Sequence, residues 1–281
     1  MRNEAEMMRL IFQVAKKIEV KAIAMSGSRV NSRAPKDDFQ DYDIVYVVED
    51  KEKLLKNREW LADFGEILIM QIPEEMTLFP PSLGECFTFL MLFEDGNRID
   101  LTLCPLSGVE EWIANEPMIQ VLDDPDGLLH EVQALSNQVY LTQKASQETF
   151  NDCCTEFWWV STYVVKGLCR REIIYAVDHL YQICQKELLR LYSWQVVAQK
   201  GEQEMGKNYK YLFNYLSDKA LEFQQLLCFS SIETVWKSLI DTMELFHQEA
   251  QTFAKQTGFS YDQKMAEKVI AYAKSQKTIY N

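Results

Sequence analysis

Apolar residues near the start of the chain recur at helical spacing. Met7, Met8, Ile11, Phe12, Ala15 and Ile18 form one stripe, which predicts a helix over Glu4 to Glu19. The pattern then shortens to strand-like runs. Val20 to Ser26 is mostly apolar and reads as a strand stopped by Gly27-Ser28, and Ile44 to Val48 is a second, opened by Asp41 and Asp43. A helix through Leu54-Leu55 to Trp60-Leu61 and a strand over Ile67 to Met70 follow. Pro73 and Pro80-Pro81 then mark a long loop. Thr88–Phe93 and Arg98–Leu103 flank Glu94-Asp95-Gly96-Asn97, a hairpin signal that completes a mixed sheet with the first helix packed on one face.

Beyond the polar stretch Gln143 to Gln147 the pattern is helical to the end of the chain. The boundary is placed between Asn137 and Glu148, giving an α/β (α+β) domain over residues 1–140 and an all-helical domain over 141–281. On the helix predicted from Glu148 to Arg170, residues Asp152, Glu156, Tyr163, Lys166 and Arg170 fall on one polar stripe, opposite Phe157, Val160, Val164 and Leu168. That stripe reads either as a solvated face or as the lining of a cleft. Asp178-His179 interrupts the apolar residues of a helix over Glu172 to Gln199. Asp178 either pairs with Arg170 or Arg171 or faces a cleft, where a carboxylate can take a proton. Gly201 to Lys210 reads as a loop feeding a helix, with Lys207 near its start and no Walker spacing. Trp158, Trp159, Trp194 and Trp236 read as core.

Composition narrows the classes. With 281 residues and 47% hydrophobic content the chain can bury a substantial core, and no apolar run approaches the roughly 18 residues that span a bilayer. The first six residues lack the apolar centre of a signal peptide, and the seven cysteines, an odd number without Cys-x-x-Cys spacing, suit reduced thiols. A cytoplasmic protein is expected. Cys153 and Cys154 are adjacent on a helix and point in different directions, which argues against zinc or a disulfide there. Three histidines are too few for a histidine metal centre. Asp123-Asp124-Pro125-Asp126-Gly127 lacks a full calcium-loop spacing and reads as a turn. The net charge of −13 opposes binding to nucleic acid and would draw a polycation toward an acidic cleft.

The candidate chemistry lies in the first domain. The Gly27-Ser28 turn offers unobstructed backbone N–H groups and a hydroxyl to anionic oxygens. Asp41 and Asp43, two apart on a strand, share a face with their Cα atoms about 7 Å apart. Asp100 and Thr102 face away from Ile99, Leu101 and Leu103. Three carboxylates so placed repel one another unless cations sit between them, and oxygen donors suit two hard cations such as Mg²⁺.

The order Gly27-Ser28, Asp41-Tyr42-Asp43, Asp100 resembles the nucleotidyltransferase superfamily with a DNA polymerase beta-like core. The fuller segments Gly27–Asn31, Asp38–Ile44, Met76–Pro80 and Ile99–Leu103 are similar to the aminoglycoside 6-adenylyltransferases. So are Asp152–Trp158, Thr162–Leu168, Ala176–Leu180 and Gly206–Lys210, so that the likeness covers most of the chain. Ser26 and Val30 depart from the family pattern, which has an acid and a threonine there. The resemblance implies a nucleotidyltransferase domain followed by a helical substrate- and nucleotide-binding domain, and transfer of AMP from ATP to a streptomycin hydroxyl with release of pyrophosphate. Asp41 and Asp43 would hold two Mg²⁺ and Asp100 the one that activates the acceptor, while Gly27, Ser28 and Arg29 grip the phosphates. Lys166 would reach a β- or γ-phosphate and Tyr163 the nucleotide, with Lys207 a further phosphate or acceptor contact. Asp178, or else Glu156, would be the base. The expected partners are ATP and a cationic aminoglycoside, without nucleic acid or membrane, for a monomer. Adenylylation of another hydroxyl acceptor or a protein, or a nucleotide- or drug-binding regulator without turnover, are the alternatives.

Overall fold

Asn3 and Glu6 set the start of α1 (Glu4–Lys17). The Asn3 side chain accepts the Glu6 N–H at 3.0 Å, and the Glu6 carboxylate accepts the Asn3 N–H at 2.8 Å. The computed structural model describes residues 1–80, 82–133 and 138–280. Pro81 of the expected loop and Asn137, one end of the expected boundary, lie outside the described residues. The chain divides into two compact units, Met1–Val139 and Tyr140–Asn281.

In the first unit, β1 (Ala22–Ser26), β2 (Tyr42–Val48), β3 (Ile67–Gln71), β4 (Phe87–Phe93), β5 (Arg98–Pro105) and β6 (Gln120–Asp123) form one sheet in the order β3-β4-β5-β2-β1-β6. Only β2 and β5 run parallel; the remaining pairs are antiparallel. Alternation along the strands gives the sheet two apolar faces. Ile44, Tyr46, Leu101 and Leu103 pack with Met7 and Ile11 of α1 and with Trp60 and Phe64. Ala24, Val45, Val47, Cys86 and Cys104 pack with Val109, the first residue of α3 (Val109–Asn115), and with Ile119 and Leu129.

Three local features differ from the reading of the sequence. The helix expected through Trp60-Leu61 is two pieces, α2 (Lys51–Lys56) and a 3₁₀ turn over Glu59–Phe64, because Asn57 leaves the helical region at φ −123°, ψ 109°. β6 was not anticipated: its four residues are largely exposed and carry no alternating signal, and pairing with β1 makes them a strand. Ala22 rather than Val20 begins β1. Asp123 ends β6, and the Asp124 carboxylate then accepts the N–H groups of Leu128 (2.8 Å) and Leu129 (2.9 Å), a turn held by side chain to backbone bonds.

The second unit comprises α4 (Gln147–Cys169), α5 (Ile173–His179), α6 (Lys186–Lys200), α7 (Leu212–Tyr215), α8 (Ser217–Gln225), α9 (Ile232–Thr257) and α10 (Gln263–Tyr280). Ser146 with Thr149 and Ser231 with Thr234 form the capping boxes that start the two longest helices. The core is anchored by Phe157 of α4 stacked on Phe246 of α9, ring centroids 3.7 Å apart. The expected helix Glu172–Gln199 exists as α5 and α6 joined through a π-helical stretch, Leu180–Gln185. Trp158, Trp194 and Trp236 are buried, but Trp159 is 62% exposed. Neighbouring helical residues are about 100° apart, so Trp158 and Trp159 cannot both face one core. No helix among the described residues is long and apolar enough to cross a membrane.

Candidate active site

Strand register assembles the site in the first unit. The antiparallel pairing of β1 with β2 sets Ser26 opposite Asp43, and the parallel pairing of β2 with β5 sets Asp43 opposite Asp100. Asp41 stands just before β2, two residues from Asp43, and its charge acts on the Asp43 carboxyl. Gly27 turns out of β1 at φ +71°, a left-handed conformation that glycine adopts freely, and opens a 3₁₀ turn over Gly27–Arg29. A Cβ at Gly27 would lie 2.0 Å from Asp43 Oδ2, so the turn runs directly against the carboxylate.

Arg29 and Ser28 hold the segment that leads into β2. The Arg29 guanidinium lies 3.7 Å from the Tyr42 ring centroid and donates to the carbonyls of Asp41 (3.1 Å) and Gln40 (2.9 Å). The Gln40 amide donates to Ser28 O at 3.2 Å and to Ser28 Oγ at 3.3 Å. Here Arg29 acts as a strut that fixes where Asp41 and Asp43 enter the strand.

Arg98 is a site residue that the sequence reading did not single out. Its Nε and Nη2 donate to Asp100 Oδ1 and Oδ2 at 2.7 and 2.8 Å, and its Nε lies 3.6 Å from Asp41 Oδ2. The signal was available, since Arg98 stands two residues before Asp100 and therefore shares its strand face. Glu116, just after α3, is a second addition that no local pattern flags. Burial raises its carboxyl above the ordinary value, against the opposing effects of the Met118 N–H and the Ser26 hydroxyl that bond it. Burial also pushes the Asp43 carboxyl up to about 7, helped by the charges of Asp100, Asp41 and Glu116 and opposed by Arg98.

Ser26, Asp43, Asp100 and Glu116 face a cleft of about 670 Å³, whereas Asp41, Arg98 and the Gly27–Arg29 turn stand outside its lining. Asp43, Glu85, Asp100, Glu111 and Glu116 line it, and no lysine or arginine does so among the described residues. In donor type the carboxylates suit Mg²⁺: each is an oxygen ligand, and Asp43 carries repulsion from two neighbouring aspartates that a divalent cation would relieve. Among the described residues, no three acidic, histidine or cysteine side chains stand grouped as a metal cage, and the fork of Arg98 on Asp100 draws that carboxylate to a cation of the protein's own.

In the second unit, Asp152, Glu156, Lys166 and Arg170 are exposed along α4 and Tyr163 is half-buried. The Lys166 ammonium lies 4.7 Å from the Tyr163 ring centroid and 5.6 Å from that of Tyr175, without a carboxylate partner among the described residues. The Trp159 indole N–H donates to the Tyr163 hydroxyl at 2.7 Å, which explains an exposed tryptophan on this face. Asp178 is exposed and makes no ion pair with Arg170 or Arg171 among the described residues. It borders a shallow apolar depression with Ile174, Tyr181 and Phe229. Lys207 is exposed at the start of a single turn in which Asn208 and Tyr209 take positive φ.

A mixed sheet with a Gly-Ser turn after one strand and aspartates aligned on the next two has the architecture of a nucleotidyltransferase domain. The chain belongs to the streptomycin adenylyltransferase family, whose model matches residues 1–276. It is 42% identical over 267 residues to an aminoglycoside 6-adenylyltransferase of Bacillus subtilis (strain 168), covering 93% of each chain. An aminoglycoside 6-adenylyltransferase of Campylobacter jejuni is 38% identical over 280 residues, covering 98% of this chain and 97% of the relative. The crystal structure of an aminoglycoside 6-adenyltransferase from Bacillus subtilis is 37% identical, with 99% of both chains covered and a TM-score of 0.49.

Proposed function

We propose that the protein transfers AMP from ATP to the 6-hydroxyl of streptomycin and releases pyrophosphate. The observation that carries this reading is the acidic cleft holding Asp43 and Asp100 beside the Gly27-Ser28 turn, in a chain of the streptomycin adenylyltransferase family. A cleft rimmed by Glu85, Glu111 and Glu116 favours a polycationic acceptor, and the net charge of −13 acts in the same direction.

Asp41, Asp43 and Asp100 would hold Mg²⁺, which when bound neutralises phosphoryl charge and lowers the pKa of the acceptor hydroxyl. The protein's own groups do the rest. Gly27 and Ser28 present a turn to the departing phosphates, and Arg29 keeps that turn and the start of β2 in register. Asp178, or else Glu156, takes the proton of the acceptor hydroxyl as its oxygen attacks the α-phosphorus and the bond to pyrophosphate breaks. Lys166, Tyr163 and Lys207 are assigned to the nucleotide and its phosphates, and the Lys166 charge, with no carboxylate partner among the described residues, is available for that use.

The test is pyrophosphate release with ATP and a panel of streptomycin, kanamycin, spectinomycin and lincomycin. Streptomycin is expected to turn over and kanamycin not to. Faster turnover of kanamycin would overturn the acceptor while sparing the reaction class, and no release with any acceptor would leave a binding protein.

Lys166→Ala is expected to lower kcat/KM for ATP by about ten- to a hundredfold, since a charge-assisted hydrogen bond is worth about 1.5–3 kcal/mol. The residue is exposed, so the melting temperature should barely move. Unchanged steady-state constants for ATP would return Lys166 to a solvated helix face.

A further inference from the structure

We infer that Cys86 and Cys104 form an oxidisable thiol pair in the wall of the cleft, closed to a disulfide by low-molecular-weight disulfides. The argument begins with the β4–β5 hairpin. Phe93 N donates to Asn97 O at 2.9 Å, which makes that rung a hydrogen-bonded pair. Hydrogen-bonded and non-hydrogen-bonded pairs alternate along an antiparallel ladder. Phe87↔Leu103 is therefore hydrogen-bonded and Thr88↔Thr102 is not. The rung beyond Phe87↔Leu103 brings Cys86 opposite Cys104 at another non-hydrogen-bonded position. Such pairs have Cα atoms about 4.5 Å apart, inside the range that a disulfide spans.

Side-chain contacts agree with that register. On the same face, one such rung away, the Thr88 and Thr102 hydroxyls touch at 3.0 Å. Cys86 and Cys104 pack in one apolar cluster, where the Cys104 thiol donates to the Pro105 carbonyl at 3.5 Å. Both are buried, but Cys86 lines the cleft and Cys104 does not, so a small disulfide reaches Cys86 first. The neighbouring Cys104 thiol lowers the Cys86 thiol below its ordinary value, with Lys51 assisting and burial opposing, while Cys86 and burial push the Cys104 thiol up.

The chemistry balances as two exchanges. The Cys86 thiolate attacks one sulfur of RS–SR, forming Cys86–S–SR and expelling RS⁻. Cys104 then gives its proton to the RS⁻ just expelled from the first exchange, its sulfur attacks Cys86 Sγ, and the second RS⁻ leaves. The two protein thiols together lose two electrons and two protons, and the small disulfide is reduced to two thiols. The new bond ties the exposed segment Ser82–Glu85, which forms one side of the cleft, to the middle of the sheet through Cys86.

The experiment uses the intact wild-type protein. It is incubated with oxidised glutathione, alkylated under denaturing conditions and digested with trypsin. Cleavage after Arg58, Arg98 and Lys144 places Cys86 and Cys104 in separate peptides that each contain a single cysteine. The expected result is these two peptides joined, lighter by two hydrogen atoms, and separated again by reductant. Amide exchange over residues 83–86 is expected to slow in the oxidised protein. Alkylated Cys86 and Cys104 recovered from a sample in which exposed Cys228 carries glutathione would overturn the pair. Joined peptides with unchanged exchange would overturn the anchoring of the cleft wall.

Discussion

Asp43→Asn is expected to reduce turnover by at least about a hundredfold, roughly 2.7 kcal/mol of transition-state stabilisation, while the metal-free protein becomes no less stable. The two effects share a cause. Asp43 is taken out of water and set beside Asp100 and Asp41, which together hold its carboxyl at about 7. An unfolded aspartate titrates near 4, so between about pH 4 and 7 the folded state binds more protons than the unfolded state. Stability from this group is present below pH 4 and is lost as pH rises through 7, on the order of 3–4 kcal/mol in all. Asparagine keeps the size and removes the penalty. Melting curves recorded with a chelator should nearly coincide at about pH 4 and favour the mutant at neutral pH. Mg²⁺ with ATP should raise the melting temperature of the parent more than that of the mutant, because a ligand stabilises the state that binds it. A mutant that melts early yet retains its activity per molecule would make Asp43 a structural residue, and the cation argument would fall.

Gly27→Ala should be comparably damaging by a different route. The added methyl meets Asp43 Oδ2 at 2.0 Å and Asp43 Cγ at 2.7 Å, so either the carboxylate or the turn must move. The backbone at φ +71° adds about 1–2 kcal/mol of left-handed strain for any residue with a Cβ. Activity is expected to fall at least about a hundredfold, with a stability loss of about 1–3 kcal/mol. Gly127→Ala is the control. Its φ is +69°, and nothing lies within 4 Å of the new Cβ, so it tests strain without collision. It should lose some stability and no activity. If the clash is the cause, adding Asp43→Ala should recover part of the stability lost in Gly27→Ala, a coupling that a double-mutant cycle measures. Full activity in Gly27→Ala would show that Asp43 is not held where turnover needs it.

Much of the candidate site could be read without coordinates because strand alternation is a local property. Asp41 and Asp43 share a face in any strand, and Asp100 leaves the apolar face of its hairpin whatever that hairpin packs against. Helical periodicity likewise separated Phe157 and Val164 from Glu156 and Lys166, and the first five of the six strands were visible as short strand-like runs. The failures occurred where neighbours decide. β6 is a strand because β1 lies beside it, and Trp159 is exposed because Trp158 took the inward position one residue earlier.

Residue identities and spacing therefore carried the chemistry of each carboxylate, but not their assembly. Asp43 lies against Asp100 only because β2 pairs parallel with β5 in one register, and a slip of one residue would send the two acids to opposite faces. The same pairing brings Arg98, with Asp100, to Asp41, and the fold over α3 returns Glu116 to Ser26. Burial is the quantity that sequence could not supply. An aspartate on a strand titrates like any other until neighbouring strands remove its water and bring two more negative charges close, and only then does Asp43 become a group that titrates near neutral pH.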